Sequence, residues 1–295
     1  MWIFWGSTYL AIAKAIATFP PFFMAGFRFF FAGGLLYSYL HFVKKERVKP
    51  GAWKDAWVMG TLLLLFGNGG VVFAQQYVPS GATALMVGSG PFWFVLLGWL
   101  WLKGPRPGVR TVIGLIIGFL GLILLITAGR GAQDFSITAI GPFLLVVVAA
   151  LSWSVGSIYS KTVPSKTSPM MMSAMQMCTG CVLMTIAGFI HGEHHGFSFS
   201  QVTTESWLAT LYLIVFGSWV GFSAYIYVLR HATPAVAATY AYVNPLVAVW
   251  MGWALGGEQV TTGMLWAAGL IVGAVILISW PVKRVPAPAP AGKLE

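Results

Sequence analysis

Charge is scarce in this sequence. Of 295 residues only 8% are Asp, Glu, Lys or Arg, against about 25% in a soluble domain. Acids are the rarest, 7 against 17 Lys and Arg. With 58% hydrophobic residues and a mean hydropathy of +0.81, the chain has too little polar surface for a soluble enzyme and too much apolar surface for a disordered protein. Cysteine is nearly absent. Cys178 and Cys181 share one apolar run, which excludes a disulfide-stapled secreted domain and reads as packed free thiols, not a redox or zinc site. No Walker A loop is present, so no ATP-driven pump is encoded, and there is no His-Glu-x-x-His motif. His41, His191, His194, His195 and His231 fall at run ends or in loops. A Ser89 nucleophile therefore has no evident base, and an embedded enzyme is disfavoured. The cluster from His191 through Glu193 to His195 reads as a solvated outer loop with no metal, and no cofactor is expected. No basic region and small-residue site mark a cleavable signal peptide. The net charge of +10 is spread between apolar runs, so it reads as membrane orientation and predicts no nucleic-acid partner.

What the chain has in abundance is apolar runs. Ten lie near 2–19, 21–43, 56–77, 80–102, 110–129, 138–160, 169–190, 206–229, 234–256 and 262–282. A helical span needs about 20 apolar residues, and a chain in lipid must satisfy its own backbone polar groups. All ten are expected to be helices. Basic residues follow the even-numbered runs: Lys44 to Lys54, Lys103 to Arg110, Lys161 and Lys166, Arg230, and Lys283 to Lys293. The opposite loops hold only Arg130 among basic residues, with Asp134, Glu193, Glu205 and Glu258, while Lys14 and Arg28 lie within or at the ends of the first two runs. The positive-inside rule then places both termini in the cytoplasm. No Asp or Glu lies mid-run. That disfavours export of organic cations and proton relay, and downhill or exchange transport is expected. Residues 283–295 are Pro/Ala-rich and expected to be a disordered cytoplasmic tail.

The sequence also repeats. Phe66-Gly67 recurs as Phe216-Gly217, Pro91 with Gly98-Trp99 as Pro245 with Gly252-Trp253, Gly114 and Gly118 as Gly269 and Gly273, and Trp5 and Pro21 as Trp153 and Pro169. This divides the chain into halves at 1–129 and 138–282, five runs each. An odd number turns the second half upside down, an arrangement used by transporters with a midplane site between the halves. In this register Trp5 aligns with a residue about 15 positions into the sixth run. The first helix is therefore expected to be short, or to begin before residue 1. The glycine pairs read as close helix packing within a monomer, with a dimer face as the alternative.

Arg28 is the deepest basic residue, and its repeat partner is Gln176. It is either a structural Arg bonded to helix carbonyls or a substrate contact. Lys14 reads as a rim Lys. Trp5, Tyr9, Trp93, Trp153, Tyr159, Trp219, Tyr225, Tyr240 and Tyr242 lie on runs that carry other polar groups, and rings with a polar atom suit the wall of a mostly apolar cavity. Pro91 and Pro245 are placed mid-run, where each frees the carbonyl four residues back, Val87 or Ala241. With Ser89 and Asn244 beside them they read as a shared substrate site and hinge.

Trp5-Gly-Ser-Thr-Tyr9, Pro20-Pro21 followed by Arg28, and the segment from Tyr240 to Pro245 resemble the EamA branch of the drug/metabolite transporter superfamily. Within it the chain is most similar to YddG-type amino-acid exporters of bacterial inner membranes. The resemblance implies an all-α polytopic protein of ten transmembrane helices in two inverted repeats. It also implies a central cavity built by helices one to four and six to nine, and carrier activity toward small metabolites. Amino acids with aromatic or apolar side chains fit a cavity of rings, neutral polar groups and one Arg. An importer or exchanger of other neutral solutes is the alternative, and a structural subunit a further one.

Overall fold

The structure, a computed structural model, describes residues 2–77, 83, 86–129, 140–164, 167–256 and 260–280. The predicted tail and the loop residues Arg130, Asp134, Lys166 and Glu258 lie outside them. Among the described residues there is no strand. The main helices are α1 (Trp2–Ala15), α2 (Pro21–Val43), α3 (Ala52–Ala74), α4 (Gly90–Leu100), α5 (Val109–Gly129), α6 (Ile140–Thr162), α7 (Pro169–His191), α8 (Thr204–His231), α9 (Tyr240–Gly256) and α10 (Thr262–Ser279). Each coincides with one of the ten apolar runs. Five of them, α2, α3, α6, α7 and α8, are long and apolar enough to cross a membrane.

Local chemistry sets the boundaries. Ser168 accepts the amide of Met171 at 3.1 Å and Pro169 opens α7, a cap followed by a residue with no amide to satisfy. Thr203 and Thr261 cap α8 and α10 in the same way. Gly192, at φ +81°, ends α7 in the left-handed region. The start of α2 is capped from a distance. The Glu193 carboxylate accepts the amides of Phe22 and Phe23 at 3.0 and 2.8 Å, where the helix dipole favours negative charge. The outer loop read as solvated is thus half-buried at Glu193, and it clamps α7 to α2. Lys14 is exposed at the rim and pairs with Glu205 at 2.7 Å.

Packing follows a regular plan. α2 runs along α7 and α5 along α10; α1 packs on α8 and α9, and α6 on α3 and α4. α3 and α8 both loosen into π-helical turns, at Gly60–Gly69 and Leu213–Val220. Large apolar side chains such as Phe30, Ile116, Ile190, Leu265 and Trp266 face outward, an apolar surface that water does not favour.

Two expectations change. Pro91 is not mid-helix: the chain turns at Gly88-Ser89, and Pro91 sits in the first turn of α4, where its missing amide is harmless. Pro245 does lie inside α9, but near its start, because Thr239 breaks the ninth run and leaves Pro234–Ala238 as a separate short helix. The glycine pairs also part company. A Cβ on Gly114 would lie 2.6 Å from Ile278, and one on Gly118 would lie 2.7 Å from the Tyr242 ring. Gly269 and Gly273 are exposed, with nothing within 4 Å. Only the first pair serves packing within the chain.

Candidate functional site

A cavity opens among α1, α2, α3, α4, α6, α8 and α9. Trp5, Tyr9, Arg28, Trp153, Tyr240 and Asn244, all predicted from the sequence, line it. No acidic side chain does, among the described residues.

Arg28 projects from the third turn of α2. It is 2% exposed. Its Nε donates to Ser218 Oγ at 2.8 Å, its guanidinium lies 4.9 Å from the centre of the Phe29 ring, and Nη1 meets no protein partner. Room for the guanidinium comes from Gly217, where a Cβ would lie 2.8 Å from Nη2. Asn68 was missed in the sequence. Its Oδ1 is buried without a partner on the same cavity wall. The signal was there: Asn68 follows the repeated Phe-Gly pair, as Ser218 does in the second half. Buried polar atoms are rarely left unpaired. Here one donor and one acceptor belong to residues that line the same cavity.

One end of the cavity is closed by rings. Trp5 meets Trp153, Phe222, Tyr225 and Tyr240 with centroids 5.0–5.7 Å apart, the separations at which edge-to-face pairs attract. Trp5 Nε1 donates to the Gly217 carbonyl at 3.2 Å, and Trp153 Nε1 donates to the Tyr225 hydroxyl at 3.0 Å. The same hydroxyl bonds Ser157. Tyr9 bonds the Asn244 side chain. Tyr225 thus supports the partition without lining the cavity.

The other predicted residues lie elsewhere. Gln176 is fully buried but lines a second cavity, with Lys161 and Arg230, near the α6–α7 turn. Tyr159 donates to Asp55 at 3.1 Å. Asp55, an acid 3% exposed, was unmarked in the sequence because the apolar run begins at 56, whereas the helix begins at Ala52 after Gly51 turns at φ +80°. Trp219 donates to the Ala32 carbonyl at 2.8 Å and ties α8 to α2. Tyr242 reaches the Leu115 carbonyl at 3.3 Å, on the α5 side. Ser89 donates to the Met86 carbonyl at 2.7 Å. Trp93 is half-buried on α4, outside the cavity wall.

Comparison with known proteins agrees with this architecture. The model of the EamA-like transporter family matches residues 1–127 and 141–280. An Escherichia coli K12 protein, "Uncharacterized inner membrane transporter YedA", is 36% identical over 98% of this chain and 92% of its own. A Bacillus subtilis protein, "Uncharacterized transporter YvbV", is 30% identical over 97% and 92%. A Salmonella typhimurium protein, "Probable amino-acid metabolite efflux pump", is 24% identical over 92% and 91%. One crystal structure shares the fold, with a TM-score of 0.77 at 19% identity over 94% of this chain and 93% of that one. The resemblance drawn from the Trp5, Arg28 and Tyr240–Pro245 segments holds, and this multi-pass membrane protein belongs to the EamA-like transporter family.

Proposed function

We propose that this transporter exports amino acids with aromatic or apolar side chains across a bacterial inner membrane. The observation that carries the reading is the Arg28 guanidinium. It is buried, it has an unpartnered Nη1, and it faces an aromatic cavity that holds no acid. A substrate carboxylate supplies the missing charge and acceptor, and a charge-assisted hydrogen bond is among the stronger ones available. Asn68 Oδ1 is placed to accept from the substrate ammonium, and Trp5, Trp153 and Tyr240 form the surface for its side chain. The Salmonella relative's name, an amino-acid metabolite efflux pump, supports the broader class of amino-acid-like solutes.

The mechanism is alternating access between two inverted five-helix halves. The family model matches each half. Trp5 donates to the Gly217 carbonyl of α8, and its repeat partner Trp153 packs on Gly67 of α3. Both of those glycines lie in π-helical turns, a feature frequent at functional sites. Export begins at the cytoplasmic face, with both termini on that side and the chain acting as a monomer. An importer or exchanger uses the same cavity and differs only in the gradient. The test is expression in a bacterium fed dipeptides of Phe, Trp or Leu. Faster appearance of the free amino acid in the medium, and resistance to fluorophenylalanine, are expected. Unchanged release of all three contradicts the reading.

A further inference from the structure

The second cavity lies between α3, α6, α7 and α8, one to two helical turns beyond the aromatic partition. On α8, Phe222 lines the first cavity and Ile226 the second; on α6, Trp153 lines the first and Ser160 the second. Gln176 forms part of its wall with no exposed surface, and neither Oε1 nor Nε2 has a partner. An amide buried with both ends unsatisfied carries the full desolvation cost of a donor and an acceptor. A ligand that returns both bonds recovers that cost. Lys161 and Arg230 share the wall. Lys161 already donates to the carbonyls of Leu229 and Ala232, and one of its three N–H groups remains. Arg230 is exposed at the mouth. Met172, Ile226 and Leu229 supply an apolar surface, and no acidic side chain among the described residues lines the cavity.

We infer that this cavity is a second binding site for a zwitterionic amino acid, separate from the Arg28 site. The ligand ammonium donates to Gln176 Oε1. The carboxylate accepts from Nε2 and lies toward Lys161 and Arg230, and an apolar side chain rests on Met172 and Ile226. A simple anion satisfies only one end of the amide and a simple cation only the other. On an exporter this site is the one the substrate meets first, so the inference rests on the amino-acid reading above.

The experiment is equilibrium dialysis of the purified protein against labelled L-phenylalanine, run beside transport of the same compound in liposomes. Wild type is expected to hold two molecules per chain. Gln176→Leu is expected to hold one, with at least tenfold weaker binding at the lost site, and to melt no lower than wild type because an unpaired amide is gone. Met172→Trp, which fills the cavity and leaves Gln176 intact, is expected to give the same loss. 3-Phenylpropionate and phenethylamine should each compete at least tenfold more weakly than phenylalanine. A single site in wild type, or unchanged binding in both variants while transport proceeds, overturns the second site and leaves the transport reading standing. Equal competition by phenylpropionate, or displacement of the label by phosphatidylglycerol alone, assigns the cavity to an anion or a lipid and overturns it as well. Two-site binding without transport supports the site and contradicts the exporter. Neither binding nor transport overturns both.

Discussion

Arg28 and Ser218 are joined by one hydrogen bond, Nε to Oγ at 2.8 Å, and it leaves Nη1 buried without a protein partner on a residue that lines the cavity. A structural Arg would spend its donors on helix carbonyls. Arg28→Met removes a buried charge whose desolvation its single bond barely offsets. The variant is expected to fold and melt at or above the wild-type temperature. Hydrogen bonds to charged groups contribute about 1.5–3 kcal/mol, so transport KM should rise about 10- to 100-fold. Arg28→Lys keeps the charge but loses the planar fork, and should fall between. A stability loss in step with the transport loss makes Arg28 structural.

Asn244 and Tyr9 bond across the wall between α9 and α1. Asn244→Ala is expected to insert and fold normally and to slow transport about fivefold, the worth of one hydrogen bond of about 1 kcal/mol. Unchanged rates at equal protein exclude Asn244 from the site.

The two prolines are no longer equivalent. Pro245→Ala gives the Ala241 carbonyl a partner again and stabilises α9 by up to about 3 kcal/mol; the resulting straighter helix should slow interconversion several-fold. Pro91→Ala, in the first turn of α4, should cost only about 0.4–1 kcal/mol of stability and change transport little. Melting curves and single-turnover counterflow check both. A larger transport defect in the α4 variant contradicts the assignment of the hinge to α9.

This asymmetry shows what the sequence carried. Helix positions were legible because apolar runs, Pro, Gly and Thr caps mark them directly. The Gly88-Ser-Gly-Pro91 turn was legible too, but the length of the run masked it. Helix faces were harder to read. In a chain covered by lipid most faces are apolar, so Trp219, Tyr159 and Tyr242 matched the cavity by residue type while facing α2, Asp55 and α5. Gln176 shares a repeat register with Arg28 but lines the second cavity, on α7; register alone does not say which cavity a residue joins. Asn68, partner of Ser218, was the residue that register should have added.

Glu193 gives a pH prediction. Burial pushes its carboxyl above the ordinary value, against the pull of the Phe22 and Phe23 amides and His191. A carboxyl with a raised folded-state pKa holds its proton more tightly when folded. Its stabilisation is full below the unfolded value, about 4.3, and is lost as pH rises through the folded one. Wild type should therefore lose melting temperature relative to Glu193→Gln as pH climbs through that window, with the two curves parallel above it. Parallel curves throughout contradict the shift.

The measurement that bears most directly on the account is efflux of labelled phenylalanine, tryptophan and leucine from liposomes containing the pure protein. Saturable release faster than from protein-free liposomes, slowed about tenfold or more at low substrate by Arg28→Met, is the result predicted. Release no faster than from protein-free liposomes for all three, or undiminished release in Arg28→Met, contradicts an amino-acid exporter built around Arg28.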